Sequence, residues 1–126
     1  MNGTRYFLDT NAIITLLNGS KTVEDIISRA NWLGISVISI IEFNSFSQLS
    51  NLNKEVFRIF LQRVVIINLI YSEANPLTER IAKVRSDYRI KLPDAIIAAS
   101  AQHYNATLIT NDLHFKKISS LQTLQF

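Results

Sequence analysis

Cysteine is absent from the 126-residue chain. That removes disulfides and thiolate metal sites, and it fits a reducing compartment. Glycine and proline are scarce, at three and two copies. No linker, repeat or low-complexity tract interrupts the chain, and Asn, Ser and Thr punctuate it at helix starts. No apolar run approaches the ~20 residues of a membrane-spanning helix; Val64–Ile67 stops at Asn68. The start of the chain lacks the basic patch, apolar stretch and small-residue cleavage site of a secretory signal. These absences lead to the expectation of a cytoplasmic protein without membrane contact, folded as one domain over residues 1–126. A chain of this length buries roughly two-thirds of the surface that its unfolded form exposes.

Hydrophobic residues make up 48% and charged residues 18%, the balance of a globular domain and not of a disordered one. The net charge is +3 and the pI about 9.4, a mild basic excess that favours a nucleic-acid partner without requiring one. Arg80, Lys83, Arg85, Arg89 and Lys91 crowd one short stretch, in which Asp87 is the only acid after Glu79. The stretch reads either as a solvated helix face or as a flank that contacts backbone phosphates.

Residues 5–8 read as a short buried strand ending at Asp9, followed by a helix over 10–18 with Gly19 as its stop. Thr22 is placed to cap a second helix, with Asp25 three residues on and Gly34 breaking the pattern. The β-branched run Ile35–Ile38 predicts a strand and Ser39–Ser50 a helix. A helix from Asn53 to Arg63, a strand over Val64–Ile67, and helices opening at Asn75-Pro76 and Pro93-Asp94 come next. Thr107–Ile109 reads as a fourth strand and Leu121–Phe126 as a fifth. Strands alternating with helices predict an α/β three-layer sandwich, with a mostly parallel sheet flanked by helices. In such sheets ligands gather beyond the carboxyl ends of the strands.

Four acids fall near that edge. Asp9 follows the first strand, Glu42 lies in the first turn after the second, Asp94 opens a helix, and Asp112 stands three residues past the fourth strand. Each has a structural use of its own. Asp9 suits a helix cap, and Ser39-x-x-Glu42 makes a capping box. Asp94 complements a helix dipole, and Asp112 suits a turn. Convergence argues for more. Two carboxylates about 4 Å apart repel by about 4 kcal/mol at an effective dielectric near 20, so a cluster either takes up protons or holds a cation. All-oxygen donors select hard divalent ions such as magnesium or manganese. With no cysteine and only His103 and His114, zinc has few ligands available.

Four segments in order resemble the motifs of PIN domains: Phe7-Leu8-Asp9-Thr10-Asn11, Ile38-Ser39-Ile40-Ile41-Glu42-Phe43, Leu92-Pro93-Asp94-Ala95, and Leu108-Ile109-Thr110-Asn111-Asp112 with Phe115. The spacing spans nearly the whole chain. The bare single domain and the Leu-Pro-Asp-Ala segment are most similar to VapC-like toxins of type II toxin–antitoxin pairs. The resemblance implies a magnesium-dependent endoribonuclease, with manganese able to substitute, that forms a homodimer and is inhibited by an antitoxin. By motif, Asp9, Glu42, Asp94 and Asp112 correspond to the metal-binding catalytic acids. Thr10, Asn11, Ser39 and Thr110 are the polar supports, and Arg80, Lys83, Arg85, Arg89 and Lys91 are candidates for the RNA backbone. His114 stands before Phe115, where relatives often carry an acid. Trp32, Phe43, Phe46, Phe57 and Phe60 exceed what the pattern alone places in the core; most are expected there, and some to form a dimer face or an antitoxin groove. A receiver-type phosphotransfer module fits poorly because Asp9 stands alone after the first strand, and a haloacid-dehalogenase-type phosphatase because Asn11 replaces its second acid. The remaining alternative is a non-catalytic PIN-like module that binds RNA or protein.

Overall fold

The computed structural model describes residues 4–126. Among them are strands β1 (Arg5–Leu8), β2 (Trp32–Ser36), β3 (Val65–Ile67), β4 (Thr107–Ile109) and β5 (Thr123–Leu124). The helices are α1 (Thr10–Leu17), α2 (Lys21–Ile27), α3 (Val37–Asn44), α4 (Asn51–Leu61), α5 (Leu77–Tyr88) and α6 (Leu92–His103). A 3-10 helix covers Leu113–Lys117. The strands form one sheet in the order β3-β2-β1-β4-β5, every neighbouring pair parallel. The chain builds outward from β1 to β3, then returns to the other side of β1 with β4. The gap between β1 and β4 is therefore the topological switch point, where such sheets open a crevice at their carboxyl edge.

Alternation along β1 sends adjacent residues to opposite layers. Phe7 joins Leu108 and the apolar faces of α5 and α6, including Ile81, Val84, Ala95 and Ala98. Leu8 joins Ile35, Ile109, Ile13 of α1, Phe43 of α3 and Phe57 of α4. The expected three-layer sandwich is thus present, with a core on each face of the sheet.

Local expectations needed revision around the second strand. The run Ile35–Ile38 divides: Ile35 and Ser36 finish β2, while Val37 and Ile38 start α3. Ser36 makes the break, because its hydroxyl accepts from the Ile38 N–H at 3.1 Å and caps the helix. Ser39 is consequently inside α3 and not at its cap, Glu42 sits in the second turn, and the helix ends at Asn44 instead of Ser50. Gly34 lies within β2 and does not end a helix. A β-carbon there would stand 2.7 Å from Trp32 Cζ3 and 3.1 Å from Phe7 Cδ2. The Trp32 indole stacks between Phe7 and Tyr104, with the Arg5 guanidinium 4.3 Å above it. The second helix is capped by Ser20, not Thr22. The fourth begins two residues before Asn53, which closes a capping box with Ser50.

Candidate active site

Asp9 is the first residue beyond β1 and is 4% exposed. Its Oδ1 accepts from the Ala12 N–H at 2.7 Å, capping α1, and its Oδ2 accepts from the Thr110 hydroxyl. The capping role and the site role therefore coexist on one carboxylate. Burial raises the Asp9 pKa above the usual range, two hydrogen bonds oppose that, and the charges of Asp112 and Asp94 add to it. Thr110, just past β4, also accepts from the Asp112 N–H at 3.0 Å. One hydroxyl thus ties together the two acids that flank the switch point.

Glu42 is reached from the α1 side. Thr10 Oγ1 donates to Glu42 Oε1 at 2.5 Å and lies 3.0 Å from Ser39 Oγ. Asp94 is the third residue of α6, behind Leu92 and Pro93. Burial raises its pKa first, followed by the charges of Asp112 and Glu42, while His114 and Lys91 pull the other way. Asp112 caps the 3-10 helix, its Oδ1 accepting from the His114 backbone N–H at 2.9 Å and lying 2.8 Å from His114 Nδ1.

A cleft of about 440 Å³ is lined by all four acids, together with Thr10 and Asn11. The sequence-predicted acids therefore meet at one edge, coming from the ends of β1 and β4 and from α3 and α6. Among the described residues no three His, Cys, Asp or Glu side chains stand in closed metal-holding geometry. The donor chemistry fits a hard divalent cation nonetheless. The donors are carboxylates alone, and two of them, Asp9 and Asp94, are held above their ordinary pKa by burial and by neighbouring carboxylates. A hydrogen-bonded carboxylate oxygen keeps a further lone pair for a ligand.

The basic stretch does not stay together. Arg80 and Lys83 line a cavity between α5 and α6, with Glu79, Asp87, Tyr88 and Gln102, and Lys83 pairs with Asp87 at 3.0 Å. Arg89 and Lys91 lie beyond the end of α5, in a recess lined also by Asp94, Asp112, His114 and Lys117. Arg85 lines neither. Lys117 carried no signal in the sequence, because Arg89 and Lys91, the basic residues that line the recess with it, are more than 20 residues distant along the chain. Of the five aromatics singled out, Phe43 and Phe57 are buried and stack at 3.9 Å. Trp32 and Phe60 are partly buried, and Phe46 is 48% exposed.

The family model of the PIN domain matches residues 6–121, and the chain belongs to that family. Its fold is similar to that of VapBC2 from Rickettsia felis, solved bound to a DNA fragment from its promoter, with a TM-score of 0.79 and 28% identity over 96% of this chain and 98% of that one. A toxin–antitoxin complex from Klebsiella pneumoniae gives a TM-score of 0.77 and 28% identity over 96% and 99%. VapBC-1 from nontypeable Haemophilus influenzae gives 0.73 and 26% over 95% and 96%. No protein of curated function matches the sequence. Among the described residues no helix is long and apolar enough to cross a membrane.

Proposed function

We propose that this chain is the toxin of a type II toxin–antitoxin pair, a cytoplasmic magnesium-dependent endoribonuclease that hydrolyses RNA phosphodiesters. The observation that carries the reading is the meeting of Asp9, Glu42, Asp94 and Asp112 in one cleft. Membership of the PIN family and likeness to solved toxin–antitoxin complexes support it.

Magnesium, or manganese in its place, would be held by these four carboxylates and would supply activation of water and charge stabilisation at the leaving oxygen. The chain's own part is positioning. Thr110 holds Asp9, Thr10 (itself against the Ser39 hydroxyl) holds Glu42, and the His114 backbone N–H holds Asp112, so three of the four acids keep one orientation when a ligand arrives. Asn11 faces the same cleft and is available to the substrate or to an ion's water. The surplus negative charge of the cleft repels an RNA strand until a cation offsets it, which couples substrate entry to metal occupancy.

The antitoxin would cover the apolar groove lined by Ile14, Leu17, Phe43, Phe46, Leu49 and Leu52. Phe46 and Leu52 there are 48% and 72% exposed, and aromatic anchors favour such interfaces. The active form is read as a homodimer. The test is incubation of partner-free protein with total RNA and magnesium or manganese, followed by sequencing of new ends. Discrete cuts that vanish with chelator and in Asp9→Asn and Asp94→Asn establish the nuclease. Folded, metal-loaded protein that makes no cuts identifies a binding module instead.

A further inference from the structure

Beside the acid cleft lies a second cavity of about 390 Å³, lined by Arg89, Lys91, His114 and Lys117. Asp94 and Asp112 line both cavities, so the two adjoin. These side chains arrive from opposite parts of the chain: Arg89 and Lys91 from the turn between α5 and α6, His114 and Lys117 from the 3-10 helix after β4. Among the described residues Arg89, Lys91 and Lys117 form no ion pair.

The backbone at Arg89 is unusual. It ends α5 at φ 53°, ψ 46°, in the left-handed region. Among the described residues the other non-glycine at positive φ is Asn105, a residue type that tolerates that region, whereas arginine is disfavoured there and glycine is the common choice. An arginine kept at a glycine position points to a use for its side chain.

We propose that this recess holds a second phosphate of the RNA strand, next along from the one presented to the acids, and so fixes how the strand lies across them. This rests on the nuclease reading above. A polyanion approaching four carboxylates needs cations close by, and a guanidinium fork with two ammonium groups supplies charge-assisted donors for one phosphate. Because the two cavities share Asp94 and Asp112, a strand seated in one runs directly into the other.

The experiment measures binding of a short single-stranded RNA with one cleavage site, in calcium so that it is not turned over, together with its cutting in magnesium. Arg89→Gln and Lys117→Gln should each weaken binding roughly 3- to 10-fold and flatten the plot of log affinity against log salt by about 0.7. A single neutral methylphosphonate linkage at the seated position should do the same to the wild type. It should have no further effect on the Arg89→Gln/Lys117→Gln protein. Arg89→Gly should lose the same affinity while melting at a higher temperature, since it relieves the left-handed strain; loss of fold is then not the cause. Equal sensitivity to methylphosphonate at every linkage, in wild type and variant alike, overturns the recess. So does unchanged RNA binding with weakened binding of poly-glutamate, which would assign the recess to an acidic polypeptide. Linkage-specific binding without any cutting sinks the nuclease reading and leaves the phosphate site standing. Cutting without linkage-specific binding does the reverse.

Discussion

The Thr110 hydroxyl donates to the Asp9 carboxylate across 101 positions of sequence, while the Asp112 N–H donates back to the same oxygen. Both acids depend on one side chain that is itself 2% exposed. Thr110→Val keeps the volume and removes the donor and acceptor together. It should lower metal affinity roughly 10- to 100-fold and destabilise the fold by about 1–3 kcal/mol through unpaired buried groups. Calorimetric titration of magnesium and chemical denaturation measure the two effects, and Thr110→Ser should restore most of both. Metal affinity unchanged in Thr110→Val would remove the supporting role.

Asp94 illustrates a site held at a cost to the fold. Burial, then Asp112 and Glu42, raise its pKa. A carboxyl whose folded pKa lies above its unfolded value contributes stability that is present below the unfolded value and lost as pH rises through the folded one. At pH 7 in chelator that contribution is gone. Asp94→Asn should therefore melt higher than the wild type without metal, gain less from added magnesium, and lose more than the roughly 100-fold in activity expected of a supporting residue. Thermal melts with and without magnesium decide it, and a lower metal-free melting temperature would contradict the account.

A pH effect of opposite sign is expected at His103, which lies in the last turn of α6, at the other end of that helix from Asp94. Its Nε2 meets Asn75 Oδ1, and its Nδ1 is buried with no partner. Burial, and then the Arg80 charge, lower its pKa. The unfolded chain therefore takes up a proton near the ordinary value of 6.5, while the folded chain resists until lower pH. Stability should fall as pH drops through 6.5 and level off below the folded pKa, with no effect above. Subtracting the denaturation profile of His103→Gln from that of the wild type isolates this slope; identical profiles would contradict the assignment.

Gly34→Ala tests the aromatic stack beneath β2. The added methyl meets Trp32 and Phe7, and overpacking of this kind typically costs about 1–3 kcal/mol. Denaturant midpoints report the loss. Near-ultraviolet circular dichroism should change as well, since Trp32 must leave its place between Phe7 and Tyr104.

Much of this architecture was readable from the chain. β1 and β4 were delimited correctly because each is a short apolar run closed by a polar residue, and the acids at their ends marked the crevice. The start of α3 was not, because a buried apolar run has the same composition in a strand as in a helix, and Ser36 and Ser39 are equally good caps on paper. Only the Ser36–Ile38 hydrogen bond separates them. The basic stretch divides for a geometric reason. α5 runs from Leu77 to Tyr88 and then reverses at Arg89, so Arg80 and Lys83 belong to one cavity while Arg89 and Lys91 belong to another. Proximity along the chain shows nothing of such a turn.

The central position of β1 also governs when the acid cleft can be completed during synthesis of the chain. β1 pairs with β2 early in the chain but with β4 only after residue 109 has been made. Asp9 waits for Thr110, and Asp112 is later still. A ribosome-bound chain halted before that point carries Asp9, Glu42 and Asp94 without the strand that closes the crevice around them. The cleft that gathers all four acids is therefore closed only when almost the whole domain has been translated.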